Sequence, residues 1–285
     1  IPAQSSSLYV FCHACCGGNG HRQQVNFGAG LQPVFCILLG FITKYGALMP
    51  DQTLVASMCR MFEGDGGYDG DGFEMDYVAE IYVSVQGEST WAGLPCVFVR
   101  LTGCNLRCSW CDSDFTFTGG EHRSVDDVVA EVRTLGIPLV EVTGGEPLAQ
   151  RQCARLLQRL LDAGHTVLLE TSGSISTENV PEGVHVIMDI KPPGSGEVES
   201  NDWDNLDRLR SGDEVKFVLA SREDYEWSRD IVIKNQLTDR FPVLFSTVFG
   251  KLDPALVSDW VCADKLQVRL QLQMHKYIWP PDARG

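Results

Sequence analysis

Short apolar strands alternate with amphipathic helices along residues 96–272, and this alternation is the feature that most constrains the fold. The predicted strands are residues 96–101, 139–142, 166–170, 184–189, 214–219, 243–248 and 266–272. Helical patterns lie between several of them, at 124–135, 153–163, 221–235 and 254–262. Such alternation predicts a parallel sheet, open or curled toward a barrel, with its chemistry at the carboxyl ends of the strands.

The composition limits the classes of function. Hydrophobic residues make up 44% of the 285 residues and charged residues 21%, which suits a folded domain. The net charge of −15 argues against a nucleic-acid-binding face or a basic membrane-binding stripe. Eleven cysteines, an odd number, fit a disulfide framework poorly, and no secretory signal is evident. We therefore expect a cytoplasmic protein that binds neither nucleic acid nor membrane.

Residues 1–75 differ from the rest of the chain. They contain 12 of the 28 glycines and five of the 11 cysteines, and they show no helical or strand periodicity. Their last part, residues 63–74, is acidic and glycine-rich. We expect residues 1–75 to be an extension that is disordered or not native, and residues 76–285 to form the functional domain.

Three cysteines follow the first of these predicted strands at close spacing: Cys104, Cys108 and Cys111. Three thiolates in one loop can hold three irons of a [4Fe–4S] cluster and leave the fourth iron open to a small molecule. A structural zinc site is an alternative, but it would need a fourth ligand, such as Cys153, Cys96 or a distant histidine. Buried structural cysteines are a second alternative, although they rarely crowd three into eight residues.

The cysteine motif, with an aromatic residue before its last cysteine, closely resembles that of the radical S-adenosylmethionine (SAM) superfamily. A second motif, residues 142–147 (VTGGEP), ends the next predicted strand and agrees with this resemblance. In that superfamily the corresponding segment contacts the methionine amino group of SAM, and Gly145 falls on that position. The resemblance implies a shortened, partial TIM-type β/α barrel with a [4Fe–4S] cluster and SAM as cofactors.

Further segments resemble the 7-carboxy-7-deazaguanine synthase family, namely residues 84–88 (SVQGE), 170–173 (ETSG), 189–193 (DIKPP) and 271–277 (QLQMHKY). This resemblance covers about residues 76–280. It implies conversion of 6-carboxy-5,6,7,8-tetrahydropterin to 7-carboxy-7-deazaguanine with loss of ammonia, on the route to queuosine. It also implies a Mg²⁺ requirement, a homodimer and a flavodoxin- or ferredoxin-like electron donor.

The same resemblance assigns residue roles by matching motif positions. The metal ligands are Cys104, Cys108 and Cys111 for the cluster and Ser113 for Mg²⁺. The positions that match SAM-binding ones are Trp110, Cys111, Asp112, Gly145, Glu170, Asp189, Ile190, Lys191 and Ser246. The positions that match substrate-binding ones are Val85, Gln86, Gly87, Arg100, Thr143 and His275. Arg100 also ends an apolar strand beside the cysteines, so its side chain is expected to point into the cleft and to bind a carboxylate.

Two other functions remain open from the sequence. A glycyl-radical-enzyme activating enzyme would share the cysteine motif and the short barrel, but it should lack the QGE segment. A non-catalytic zinc or iron–sulfur module would use the cysteines only to bind metal.

Overall fold

The polypeptide forms one open sheet of nine strands in the computed structural model, which describes residues 75–280. The strands are β1 (Met75–Val85), β2 (Pro95–Leu101), β3 (Glu121–Ser124), β4 (Leu139–Gly144), β5 (Thr166–Thr171), β6 (His185–Ile190), β7 (Glu214–Leu219), β8 (Val243–Thr247) and β9 (Arg269–Gln271). Their order is β3-β1-β2-β4-β5-β6-β7-β8-β9. β1 runs antiparallel to β2 and β3, and all other pairings are parallel. Because the edge strands β3 and β9 do not pair with each other, the sheet is a partial barrel, as predicted.

Helical segments connect the strands. They are α1 (Val125–Leu135), α2 (Cys153–Asp162), α3 (Asn205–Arg208), α4 (Arg222–Lys234), α5 (Leu237–Arg240), α6 (Pro254–Asp264) and α7 (His275–Ile278). Ser124 caps α1, because its hydroxyl accepts from the Asp127 N–H at 3.0 Å. Ser221 caps α4 in the same way, through the Asp224 N–H at 3.1 Å. α1 ends at Gly136, which adopts the left-handed conformation that favours glycine.

The two faces of the sheet bury different side chains. The face toward the helices carries the larger apolar core, which includes Val97, Val99, Val140, Val142, Val167, Leu169, Val186, Met188, Val215, Phe217, Val243 and Phe245. The inner face carries a small apolar cluster, Cys96, Phe98, Leu139, Leu168 and Ile187. Two residues further along β2, β4, β5 and β6, the inward side chains are charged: Arg100, Glu141, Glu170 and Asp189. Strand alternation therefore places charged groups above an apolar floor.

The structure also departs from the sequence prediction at the sheet edges. The predicted strand pattern does not include β1 or β3. Alternation in β1 is interrupted where the register shifts between Val78 and Glu80, and β3 is a polar edge strand with the sequence EHRS. β9 is shorter than the predicted strand 266–272, since it is an edge strand paired only with β8.

The predicted extension, residues 1–75, lies outside the described residues except for Met75, where β1 begins. Between residues 75 and 280, no helix is both long and apolar enough to cross a bilayer.

Candidate active site

The three predicted iron ligands lie on a loop, residues 103–113, that follows the carboxyl end of β2; we call it the cluster loop. Gly103 begins this loop with φ of 94°, a conformation that suits glycine. Its N–H donates to the Thr116 carbonyl at 2.7 Å, and its carbonyl accepts from the Glu146 N–H at 2.8 Å. The start of the loop is therefore fixed by the backbone that follows the cysteines and by the segment after β4.

Contacts with the segment after β6 hold the second half of the cluster loop. The Ser109 N–H donates to the Ser195 carbonyl at 2.9 Å, and the Ser109 hydroxyl donates to the Gly194 carbonyl at 2.8 Å. The Cys111 N–H donates to the Cys108 carbonyl at 3.2 Å, which closes a turn between the last two cysteines. The loop is thus held between the carboxyl ends of several strands, where this fold class carries its chemistry.

The cysteine thiols have the chemistry of a cluster site. Burial raises the pKa of Cys108 to about 11, and it also raises the pKa values of Cys104 and Cys111. Burial therefore favours the neutral thiols, and binding of a cation such as iron would favour the thiolates. In the described part of the chain, no three His, Cys, Asp or Glu side chains converge on one metal-ion position. A [4Fe–4S] cluster needs no such convergence, because each cysteine binds a different iron.

Two consecutive glycines allow β4 to end against the cluster loop. A Cβ on Gly145 would lie 2.3 Å from the Gly103 carbonyl oxygen and 2.7 Å from the Cβ of Cys104. At Gly144 φ is 148°, and a Cβ there would lie 2.1 Å from the Leu101 carbonyl oxygen. Backbone packing around the cysteines therefore requires both glycines, whatever ligand Gly145 also contacts.

A cavity of about 550 Å³ opens at the carboxyl ends of the strands, beside the cluster loop. The predicted site residues on its wall are Val85, Gln86, Gly87, Arg100, Cys104, Cys108, Trp110, Cys111, Asp112, Ser113, Thr143, Gly145, Glu170, Asp189, Lys191 and His275. Two predicted residues are not on the wall. Ile190 packs into the outer core, and Ser246 is buried with a hydroxyl that has no hydrogen-bond partner. The volume is in the usual range for small-molecule sites.

The cavity wall near the cysteines includes a carboxylate oxygen that has no hydrogen-bond partner among the described residues. The Lys191 ammonium lies 3.0 Å from Asp189 Oδ2, and the Lys216 ammonium lies 3.8 Å from the same oxygen. Asp189 Oδ1 is buried and has no hydrogen-bond partner. A ligand that donates hydrogen bonds, as the amino and hydroxyl groups of SAM do, would satisfy this oxygen. Together with the close approach at Gly145, this part of the cavity fits SAM.

Lys216 is the centre of a buried charge network. Its ammonium lies 3.1 Å from Glu88 Oε2 and forms a second ion pair with Glu170 Oε1. Glu170 Oε2 accepts from the Thr143 hydroxyl at 3.1 Å. Burial opposes both charges, yet Lys216 lowers the pKa of Glu170, and the carboxylates raise the pKa of Lys216 well above its usual value. The network thus keeps these groups charged beside the cavity.

Arg100 retains free donors at the cavity wall. Its Nε lies 3.0 Å from Glu80 Oε1, and its Nη2 donates to the Tyr82 hydroxyl at 2.7 Å. These bonds use two of the five N–H groups of the guanidinium. The protein therefore fixes the orientation of Arg100 and leaves it able to bind an anionic ligand.

The side chain of Gln86 is used mainly within the protein. Its Oε1 accepts from the backbone N–H groups of Glu88 and Ser89 at 3.1 and 3.2 Å. Its Nε2 donates to Glu141 Oε2 at 3.1 Å. Gln86 therefore shapes the 86–89 turn and has little hydrogen-bonding capacity left for a ligand.

The carboxyl-terminal motif packs over this turn. The Gly87 carbonyl accepts from the Met274 N–H at 3.3 Å, and a Cβ on Gly87 would lie 3.2 Å from Nδ1 of His275. The same His275 nitrogen lies 3.9 Å from Glu88 Oε1. His275 therefore lies where the QGE turn borders the cavity.

Asp112 connects the cluster loop with the same carboxyl-terminal motif. Its Oδ2 lies 3.1 Å from the Lys276 ammonium and accepts from Gln273 Nε2 at 3.4 Å, while Oδ1 accepts from the Ser113 hydroxyl at 3.3 Å. Burial opposes the charge of Asp112, but Lys276 and Gln273 lower its pKa. The predicted Mg²⁺ ligand Ser113 thus lies beside a second oxygen donor.

Sequence reasoning did not assign site roles to Glu88, Glu141, Lys216 or Lys276, all of which line the cavity. A signal for two of them is present in the sequence. Glu141 and Lys216 interrupt otherwise apolar strands, LVEVTG and EVKFVL. A charged residue inside a parallel strand must find a partner or face a cavity, so such interruptions indicate functional positions.

Comparisons with known proteins agree with this geometry. Residues 98–193 match the model of the Radical SAM superfamily. A protein of Koribacter versatilis named 7-carboxy-7-deazaguanine synthase is 47% identical over 223 residues, which cover 73% of this chain and 99% of that relative. A protein of the same name from Chlorobaculum tepidum is 43% identical over 211 residues, which cover 73% and 96%. The crystal structure of QueE from Escherichia coli shares the fold, with a TM-score of 0.58 at 21% identity over 70% of this chain and 94% of that one.

The partial barrel and the three-cysteine loop define a radical SAM enzyme, a class that uses a [4Fe–4S] cluster and SAM. Within that superfamily, the chain belongs to the 7-carboxy-7-deazaguanine synthase family. This membership decides against both alternatives from the sequence, the activating enzyme and the non-catalytic metal module.

Proposed function

We propose that this enzyme converts 6-carboxy-5,6,7,8-tetrahydropterin to 7-carboxy-7-deazaguanine with loss of ammonia, in the biosynthesis of queuosine and related 7-deazapurines. The observation that carries the proposal is one cavity with the three thiols at one side and the partly free guanidinium of Arg100 at another. The relatives named 7-carboxy-7-deazaguanine synthase support the choice of product.

The residues near the cluster loop would bind the cofactors. Cys104, Cys108 and Cys111 would hold three irons, and Gly145 and Asp189 lie on the wall that fits SAM. When bound, the cluster and SAM would supply a carbon radical that removes a hydrogen atom from the substrate. The protein's own contribution is to hold both ligands in one cavity and to limit access of water.

The remaining wall would orient the substrate. Arg100 would bind the substrate carboxylate through its free N–H donors, because a planar guanidinium matches a carboxylate geometrically. Thr143 lies level with Arg100 on the neighbouring strand and would bond the pterin ring. Val85, Gly87 and His275 border the same space, while Gln86 would act chiefly by holding the turn.

We assign Mg²⁺ to the neighbourhood of Ser113. Its hydroxyl and the Asp112 carboxylate offer oxygen donors beside the cavity, and Mg²⁺ prefers oxygen ligands and keeps several waters. We also propose a homodimer in the cytoplasm that receives electrons from a flavodoxin- or ferredoxin-like protein. The Mg²⁺ requirement, the homodimer and the electron donor rest on the family resemblance, and the cytoplasmic location rests on the cysteine count.

Anaerobic reconstitution with iron and sulfide, followed by incubation with SAM, a reductant and the carboxypterin, tests the function. We expect a brown protein that releases ammonia and 7-carboxy-7-deazaguanine. Cys104→Ala, Cys108→Ala and Cys111→Ala should each abolish turnover, since each removes an iron ligand. Cys262→Ala, at an exposed cysteine away from the cavity, is the matched control and should remain active. Cluster formation without deazaguanine product would refute the proposed reaction and leave the superfamily assignment intact.

A further inference from the structure

Glu141 lies at the deep end of the cavity. It faces the same side of β4 as Thr143, two residues later. In the sheet register Glu141 is level with Phe98 and Leu168, whereas Thr143 is level with Arg100. Glu141 is therefore one layer deeper than the groups expected to bind the substrate carboxylate.

Glu141 is only 2% exposed, yet its hydrogen bonding is incomplete. Its Oε2 accepts from Gln86 Nε2 at 3.1 Å, and within residues 75–280 its Oε1 has no hydrogen-bond partner. Because Glu141 lines the cavity, this carboxyl oxygen is free to accept a hydrogen bond from a ligand. A ligand N–H group in the cavity would remove this deficit.

The surrounding charges favour a neutral hydrogen-bond donor at this point. Lys216 is paired with Glu88 and Glu170, and Arg100 is held one layer above, so neither cation pairs with Glu141. Burial, and then the negative charge of Glu170, raise the pKa of Glu141. With a pKa of about 8, the free carboxyl is largely protonated at neutral pH. N–H donors from a ligand would stabilise its carboxylate form, whereas an anionic group would not.

We propose that Glu141 is a specificity-determining residue that accepts hydrogen bonds from the 2-amino and N3–H groups of a pterin's pyrimidinone ring. The inference rests on the proposed function, which supplies a ring of this kind. The two N–H groups point in parallel from neighbouring atoms, and a carboxylate can accept both in one plane. The ring would lie deep in the cavity while the substrate carboxylate meets Arg100 in the layer above.

Glu141→Gln tests the proposal, because it keeps the size of the side chain and one acceptor oxygen but removes the charge. The matched control is Glu214→Gln: Glu214 is also buried and inward-facing, but it accepts from Thr90 and does not line the cavity. Dissociation constants are measured on the anaerobic, cluster-loaded enzyme with SAM. The two probes are 6-carboxytetrahydropterin and its 2-oxo analogue, in which a carbonyl replaces the 2-amino group.

We expect the parent enzyme and Glu214→Gln to prefer the 2-amino ligand by at least about 100-fold, as a site with a buried acceptor should. Glu141→Gln should bind the 2-amino ligand roughly 30-fold or more weakly and the analogue within about threefold of the parent. Glu141→Asp is the second variant, and it should retain the preference although both ligands bind more weakly. Thermal melting of each variant shows whether it is folded.

Four results would overturn the inference. An equal loss of affinity for both ligands in Glu141→Gln would mean that Glu141 only supports Gln86. Weakened SAM binding with unchanged pterin affinity would place the adenine amino group at Glu141 instead. A parent enzyme that binds neither probe would refute the proposed function and this inference with it, whereas an unchanged preference in Glu141→Gln would refute this inference alone.

Discussion

Replacing Lys216 by methionine should destabilise the fold strongly. Methionine keeps the approximate length of the side chain but removes an ammonium that pairs with Glu88 and Glu170 and lies 3.8 Å from Asp189. The Lys216 side chain is only 3% exposed, so water cannot replace it. Removing one partner of a buried ion pair typically costs about 3–5 kcal/mol. For a domain of this size that corresponds to a drop of roughly 6–20 °C in melting temperature.

The pH dependence makes this prediction specific. Because Lys216 lowers the pKa of Glu170, its stabilising effect is present at neutral pH and is lost as pH falls through the carboxylate range. The difference in unfolding free energy between Lys216→Met and the parent, measured in urea, should therefore shrink as pH falls below 4.5, the ordinary pKa of a glutamate. Glu170→Gln in the Lys216→Met background should recover part of the loss. A loss of unfolding free energy below about 1 kcal/mol at neutral pH would refute the stabilising role of the Lys216 network. So would a loss no larger than that of the exposed control Lys234→Met.

Four further predictions concern single positions. Gly145→Ala should prevent normal cluster loading, because its Cβ would lie 2.3 Å from a carbonyl of the cluster loop, whereas Gly136→Ala should load normally by iron and sulfide analysis. Burial raises the folded pKa of Asp76 to about 6, so the parent should lose about 1 kcal/mol of unfolding free energy in urea between pH 5 and pH 8, as Asp76 loses its proton. Asp76→Asn cannot titrate at this position and should not show that loss. Arg100→Ala should weaken carboxypterin binding about 30-fold to several thousand-fold yet still cleave SAM without substrate; unchanged affinity would contradict the carboxylate role. Ser113→Ala should reduce stimulation of turnover by Mg²⁺ and preserve cluster absorbance, and identical stimulation would contradict the assignment.

The parallel strands and the cluster loop could be predicted from sequence because their signals are local. Apolar runs such as residues 96–101 are buried on both faces of a parallel sheet, and the cysteine spacing requires only one loop. Most of the predicted site residues also line one cavity, since strand ends in this architecture meet at one side of the sheet.

Other features depend on contacts between distant segments. The pairing of Lys216 with Glu88 joins groups 128 residues apart, and the internal use of Gln86 depends on Glu141, 55 residues away. No pattern within one segment indicates either pair. β1 and β3 were not predicted, because edge and antiparallel strands that are exposed on one side need no continuous apolar run.

The inward face of β4 explains how one short strand can serve several parts of the reaction. Glu141 and Thr143 are two residues apart in β4, so the step between them advances about 7 Å on the same side, and Gly145 follows in the bend directly after the strand. The first is deep beside Gln86, the second is level with Arg100, and the third packs on the cluster loop. The spacing between Glu141 and Thr143 is therefore set by strand geometry, and the end of the strand at Gly144 brings Gly145 against the cluster loop. Inserting one residue between positions 141 and 145 would turn one end of this series toward the outer core, which should abolish either ligand selectivity or cluster loading.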